Sequence, residues 1–317
     1  MPKQFLKLVG ERTMLQATAD RFEGLCPRED LMVVTGGEHR QTVLDQLPWL
    51  REENLLLEPM GRNTAPCIAW AAAVLHSRGR GDSLMVVVPS DHVVDSPQGF
   101  RQTIRNAAFP AEAGHLVTIG VLPEGPSTAY GYLQKGESLS GGGNRVSSFR
   151  EKPDHATAIR FLEEGDYLWN AGMFVWRVDR ILQEIRLLLP DLYDRLDTLS
   201  REVEPSSEDY LSLPSISIDN GIMERSEDVA MVPAGFGWND IGDWPSARKC
   251  GIGSDRVLPL DSDDYTVWNP GRLTVLLGVS GVSIVQTDAV TLVMDDRYSQ
   301  KLREIVARLE EEEPDLV

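Results

Sequence analysis

Apolar positions in the first 120 residues fall into two textures. One is helical. Leu15, Ala19, Phe22 and Leu25 share a face behind Thr13 and Gln16, a capping-box pair, and predict a helix over 13–25. "TAPCIAWAAAVLHS" (64–77) predicts a second, Ala-rich helix, and residues 97–108 a third. The other texture is short and continuous. "LMVVT" (31–35), "NLLLEP" (54–59), "SLMVVVPSDH" (83–92) and "HLVTIGV" (115–121) predict strands covered on both faces, with 83–92 the best buried. Strands alternating with helices at this spacing predict a mostly parallel α/β sheet.

Beyond residue 122 the rhythm changes. "STAYGYL", "RVSSFREKP" and "YLWNAGMFVWRV" predict strands, with a helix over 154–163 and a hairpin turn at "GGG" (141–143). Residues 179–195 predict a helix, 204–215 a polar connection, 217–225 a short helix and "VAMVPA" a strand. From about 256 the chain turns Val-, Thr- and Gly-rich. "TVLLGVSGVSIVQTDAVTLVMDD" predicts a small β unit, followed by an amphipathic helix over 297–311 and an acidic tail. This divides the chain into a large domain, 1–255, and a small β-rich one, 256–317. No tandem repeat is visible.

Composition narrows the function classes. The 317 residues carry 49 acidic and 31 basic side chains, a net charge of −18. That balance argues against nucleic acid, whose binders carry a basic face. It leaves room for a small basic pocket that holds a phosphorylated metabolite beside a divalent cation. No apolar run approaches membrane-spanning length. Cys26, Cys67 and Cys250 are far apart and make neither a metal-ligand spacing nor a disulfide framework, which fits a reducing cytoplasm.

Ligands in open α/β sheets collect beyond the carboxyl ends of strands, so residues just after a strand carry the candidate chemistry. Asp91 follows the apolar core of the 83–92 strand and is placed to hold Mg²⁺ through oxygen; position alone favours a plain turn or cap residue. "GWNDIGDW" (237–244) offers Asp240 as a second carboxylate, with Asp243 beside it, or else a turn anchored by two tryptophans. Glu151 and Lys152 end a strand before Pro153, as a phosphate-binding charge or a surface pair. "EPMGRNTAP" (58–66) sets Arg62, Asn63 and Thr64 at a helix start, suited to an anion, a polar base edge or plain capping. "YGY" (130–132) and "WNAG" (169–172) offer the Gly131 backbone and the Asn170 amide. The histidines form no zinc spacing; His92 adjoins Asp91.

In order along about 240 residues, "PKQFLKLVG", "TMLQAT", "EPMGRNTAP", "VVVPSDH", "YGY", "FREKPD", "WNAGMF", "SIDNGIME" and "GFGWNDIGDW" resemble the sugar-1-phosphate nucleotidyltransferase family. The C-terminal "RLTVLLGVSGVSIVQTDAVTLV" resembles that family's small β unit. The resemblance implies a Rossmann-like mixed, mainly parallel sheet with a small β-rich domain. "GRNTAP" and "WNAGMF" point to the branch that joins mannose 1-phosphate and GTP into GDP-mannose and pyrophosphate, with Mg²⁺. Related transferases using another sugar or nucleotide are the neighbouring expectation. By resemblance, Asp91 and Asp240 bind Mg²⁺, Lys152 holds the sugar phosphate and Lys3 reaches the triphosphate. Arg62, Asn63 and Thr64 line the guanine side, and Gly131, Glu151 and Asn170 hold the sugar. A homodimer is expected by the same likeness.

One departure stands out. The family places a strand and a Gly-rich phosphate loop ending in Thr-Arg-Leu some twenty residues before its Pro-Lys-Gln. Here Pro2, Lys3 and Gln4 open the chain. The expectation is a large domain incomplete at its N-terminus. Three readings fit it: a reading frame that continues upstream, a removed segment, or a regulatory homologue that binds a nucleotide sugar without making one.

Overall fold

The long strand Tyr167–Arg177 organises the main sheet in the computed structural model, which describes residues 2–253, 256–269 and 271–313. Met1, residue 255 at the end of the expected first domain, and the tail from 314 lie outside the described residues. Strand β3 (Leu84–Val87) pairs antiparallel with one end of the long strand, Leu84 opposite Arg177 and Val87 opposite Phe174. Leu116–Val121 pairs antiparallel on its other side and parallel with Val229–Pro233. The hairpin of Tyr132–Ser138 and Asn144–Arg150 completes six strands, and its first strand also returns to the long one, Tyr132 opposite Trp169. The parallel pairing here is that of 116–121 with 229–233; the others are antiparallel. The sheet is therefore mixed, and more antiparallel than the βα alternation of residues 31–121 predicts. Its second half is built from a hairpin and one long return strand, which need no helical crossover.

Two more parallel strands, β1 (Val33–Gly36) and β2 (Leu55–Glu58), form a separate pair. Among the described residues β3 has a sheet neighbour on one side only. Contrary to expectation, the 83–92 run is therefore not the best buried strand. Leu84 to Val87 are all half-buried, because an edge strand lacks the flanking side chains that cover a central one. The strand also stops early, at Val87, before Pro89, which has no N–H for a ladder.

Helices pack on both faces. On one, the helix Thr64–Ser77 buries Ala65, Ala69, Ala71, Ala72 and Ala73 around Trp70. Those small side chains let it approach Val178–Leu188 closely, and the core between them includes Trp176 and Ile181. The expected single helix over 179–195 breaks at Leu188, with a new turn from Pro190 to Tyr193. Pro190 can neither donate to nor fit inside a continuing helix. On the opposite face Phe100, Ile104 and Ala107 of Pro97–Glu112 pack against Val117, Ile119 and Met173. The short helix expected over 217–225 is a five-residue π turn, Asp219–Met223.

The described residues group into two compact units. One holds residues 15–90 and 94–238, the other residues up to 14, 91–93 and 239 onward. In the second, Met14, Ile241, Ala247 and Ile252 form a small core with Trp244 and Trp268 against it. Its β part has a regular plan. Val257 pairs parallel with Thr274 and Asp263 with Ser280, seventeen residues on in both cases, and the offset holds to the ends of both ladders. A constant offset between parallel strands is one coil of a β-helix. Thr291–Asp295 then closes the coil antiparallel. Leu258, Leu260, Val275 and Leu277 stand exposed on paired strands of the coil. The final helix runs Leu302–Glu312, after a 3-10 segment Asp296–Lys301.

Candidate active site

Three polar clusters hold the residues singled out in the sequence. The first lies within the second unit, the one that includes residues 91–93. Lys3 sits on a 3-10 turn, Lys3–Phe5, anchored by buried Phe5. Its ammonium is 3.1 Å from Asp91 Oδ2 and donates to the backbone oxygens of Asp240 at 2.5 Å and Ile241 at 3.3 Å. His92 Nε2 lies 3.8 Å from Asp91 Oδ1. The Asp240 carboxylate accepts from Gly242 N, which folds the loop tightly. Between them, Ile241 has φ 47°, a left-handed conformation that a β-branched side chain adopts only under strain. The groups gathered around the Lys3 cation all present oxygen.

The second cluster is at the end of β2. Glu58 accepts from Tyr210 Oη at 2.5 Å, and Tyr210 is fully buried against Trp70. Burial pushes the Glu58 carboxyl up, with the Tyr210 bond acting against it. Arg62 does not stand clear of the protein. Its guanidinium donates to Leu211 O at 2.8 Å and twice to Leu213 O. Asn63, at φ 68°, caps the helix Thr64–Ser77 and accepts from Thr64 N. The Thr64 hydroxyl accepts from Ile218 N at 2.8 Å, and Ala65 N donates to Ile216 O. Residues 62–65 are therefore sewn to segment 211–218.

The third cluster surrounds Gly131. A Cβ at this position would fall 2.5 Å from Glu151 Oε2, 2.8 Å from the Phe149 ring and 3.3 Å from Asn170 Cβ. Only glycine fits so close an approach. Asn170 N donates to Gly131 O at 2.8 Å. A register shift between Thr118 and Gly120 occurs where strand 116–121 faces Asn170, and the Thr118 hydroxyl donates to the Asn170 amide oxygen. Lys152 has φ 44°, and its ammonium, on a largely exposed side chain, lies 3.4 Å from Glu151 Oε1. Glu151 N donates to Glu224 Oε1, and Asn170 Nδ2 to Asp219 Oδ1. Burial first, then neighbouring carboxylates, pushes Glu151 up; burial also pushes Asp219 up, against the Asn170 bond.

The structure thus joins Lys3, Asp91 and Asp240 in one cluster, and Gly131, Glu151, Lys152 and Asn170 in another. Arg62, Asn63 and Thr64 belong to a third, where their side chains bind protein. Sequence reasoning does not bring Asp219 and Glu224 into this cluster, although both lie in "SIDNGIME", one of the segments that carry the family likeness. It also misses the left-handed Lys152 and Ile241, because neither residue type signals a turn. Among the described residues no three His, Cys, Asp or Glu side chains converge as a metal cage, and no helix is long and apolar enough to cross a membrane.

Residues 1–250 match the nucleotidyl transferase family, and 255–309 match a MannoseP isomerase/GMP-like beta-helix domain, in line with the seventeen-residue coil. A mannose-1-phosphate guanylyltransferase of Escherichia coli K12 is 36% identical over 97% of this chain and 69% of its own length. The xanthan biosynthesis protein XanB of Xanthomonas campestris is 39% identical over 97% and 68%. A solved Thermus thermophilus protein, called a mannose-1-phosphate geranyltransferase, superposes with a TM-score of 0.89 at 31% identity, covering 98% of this chain and 92% of that one. A family match along 250 residues, a shared fold and relatives this similar over almost the whole chain have one meaning: the protein belongs to the sugar-1-phosphate nucleotidyltransferase family.

Proposed function

We propose that this chain joins α-D-mannose 1-phosphate to GTP, giving GDP-mannose and pyrophosphate. The observation that carries the reading is the oxygen-lined cluster of Lys3, Asp91 and Asp240, which already gathers around a cation. Its chemistry fits Mg²⁺, which takes oxygen ligands and is commonly held by one or two carboxylates plus substrate phosphates. Asp91 and Asp240 would hold the ion. When bound, Mg²⁺ neutralises charge on the phosphate oxygens.

The sugar-phosphate oxygen is already deprotonated and attacks the α-phosphorus. A new P–O bond forms, and the bond to the β-phosphate breaks with its electron pair leaving on pyrophosphate. No proton must move, so the protein's task is to position the groups and offset charge. Lys3 offers its charge to the triphosphate. Lys152 offers a second cation to the sugar phosphate. Asn63 and the backbone of 61–64 serve the guanine side, with Arg62 holding that loop in place. Gly131 and Glu151 serve the sugar. The exposed apolar residues of the β coil support a homodimer through that face, which light scattering on the eluted protein would read as twice the chain mass. Cys26, Cys67 and Cys250, which form no disulfide among the described residues, support a cytoplasmic setting.

The test is turnover by purified protein with GTP, UTP or dTTP against mannose 1-phosphate or glucose 1-phosphate, with and without Mg²⁺. GDP-mannose and pyrophosphate in equal amounts, abolished by EDTA, are expected. Preference for another pair would replace the substrate assignment. Nucleotide-sugar binding with no turnover of any pair would favour the regulatory homologue.

A further inference from the structure

The Asn170 side chain is already committed to the protein. It is only 7% exposed. Its amide oxygen accepts from Thr118 Oγ1 at 2.7 Å and from Gly172 N at 3.1 Å. A backbone N–H can only donate, so the atom facing Gly172 is the oxygen, and the NH₂ group turns to Asp219 Oδ1 at 2.8 Å. Both oxygen lone pairs and one of the two amide protons are spent. Glu224 is committed as well: one oxygen accepts from Glu151 N at 2.7 Å, the other from Asn220 Nδ2 at 3.0 Å.

Two carboxylates remain to face a ligand, Glu151 and Asp219. Both are partly buried, and each raises or is raised by neighbouring negative charge: Asp219 and Glu224 act on Glu151, and Glu224 acts on Asp219. Lys152 is the cation acting on both. A phosphate is repelled from such a pair. Neutral hydroxyl donors are attracted to it, because they satisfy desolvated oxygens without adding charge. The pair is therefore suited to the hydroxyl-bearing face of a sugar ring, presented with its phosphate turned away.

We propose that Asp219 is a specificity-determining residue of the sugar site. Asp219 and Glu151 each accept a hydrogen bond from a ring hydroxyl of the hexose phosphate. Asn170 is a positioning residue that holds Asp219 and does not itself serve as the sugar's acceptor. The position of Asp219, first in the π turn Asp219–Met223, agrees with this, since such turns recur at functional sites. The proposal rests on the sugar-phosphate reading above, and its test separates the two.

The experiment compares wild type, Asp219→Asn and Thr118→Val with mannose 1-phosphate and its singly deoxygenated analogues. Asp219→Asn is expected to raise the KM for mannose 1-phosphate about 10- to 100-fold, leaving the KM for GTP within about twofold. Wild type should reject one deoxy analogue strongly, and the variant should lose that discrimination. Sugar KM in wild type should rise as falling pH protonates the pair, and the profile should shift in Asp219→Asn. The groups facing Asp219 in that profile are Glu151, Lys152 and Glu224. Thr118→Val leaves the carboxylate but loosens its support, so sugar KM rises by a smaller factor with an unchanged circular dichroism spectrum. An unchanged sugar KM and analogue pattern in Asp219→Asn overturns the proposal, as does equal loss for GTP and sugar. If wild type turns over no substrate pair, quenching of tryptophan fluorescence by mannose or glucose 1-phosphate replaces KM. Quenching lost in Asp219→Asn then supports the carboxylate pair while the GTP reading fails; no quenching in wild type overturns the pair.

Discussion

Gly131→Ala tests the third cluster at its tightest point. The added methyl would meet Glu151 Oε2 at 2.5 Å, the Phe149 ring at 2.8 Å and Asn170 Cβ at 3.3 Å. The first two distances are well inside van der Waals contact. The Glu151 carboxylate can swing away, but the ring and strand must also shift. Such overpacking costs about 1–3 kcal/mol. For a unit of this size that corresponds to a melting temperature lower by roughly 2–12 °C. Glu151 would be displaced from the sugar it is proposed to serve, and a misplacement of about 1 Å can cost on the order of 100-fold in rate. The expected result is a sugar-phosphate KM raised at least about 10-fold, with GTP nearly unaffected. Pyrophosphate release against varied mannose 1-phosphate measures the first effect, and calorimetry the second. Gly125→Ala is the control, because a Cβ there meets nothing within 4 Å and should change stability by less than about 0.5 kcal/mol. Wild-type KM and melting temperature in Gly131→Ala would refute the close-approach argument.

Three further outcomes are expected. Asp91→Asn and Asp240→Asn should each remove most Mg²⁺-dependent turnover while leaving the melting temperature near wild type; near-normal rates in either would remove that residue from the metal assignment. Glu58 has its pKa raised by burial, so the folded state holds its proton to higher pH than the unfolded chain, and stability falls as pH rises from the usual glutamate range through the raised value. Glu58→Gln keeps an acceptor for Tyr210 and should flatten that fall, giving a higher midpoint in urea at neutral pH; an unaltered pH profile would count against a buried charged Glu58. Arg62→Lys loses the forked grip on the Leu211 and Leu213 carbonyls. It should speed proteolytic cleavage between residues 200 and 215, and an unchanged cleavage rate would show that the grip is dispensable.

Much of the candidate site is legible in the sequence because polar residues beside or within apolar strands stand out. Asp91 follows an apolar run, Glu151 follows the end of a strand, Asn170 interrupts an apolar one, and Gly131 stands between two tyrosines. Their partners are not legible. Lys3 meets Asp240 across 237 residues, and Asn170 meets Asp219 across 49. Asp219 looks like one acidic residue of a short helix, since nothing in "SIDNGIME" announces a π turn. Arg62 reads as a ligand group, and the carbonyls that occupy it belong to a connection whose path no local pattern encodes. The β coil hides for another reason. Its seventeen-residue offset lives in backbone pairing, and the like pairs it makes, such as Leu260 with Leu277 and Val267 with Ile284, are too few in a single coil to stand out as a repeat.

Segment 211–224 is held from both sides: Arg62, Thr64 and Ala65 bind its first half, and Asn170 and Glu151 its second. If the loop 61–64 serves the guanine and the cluster around Glu151 the sugar, as proposed, the choice of base and the choice of sugar share one support. Substitutions on opposite flanks should then be epistatic, with double variants departing from the sum of the singles by about 0.5–3 kcal/mol. A lineage drifting toward a new nucleotide would find its sugar selectivity moving with it. Redesign of either preference would need both flanks changed together.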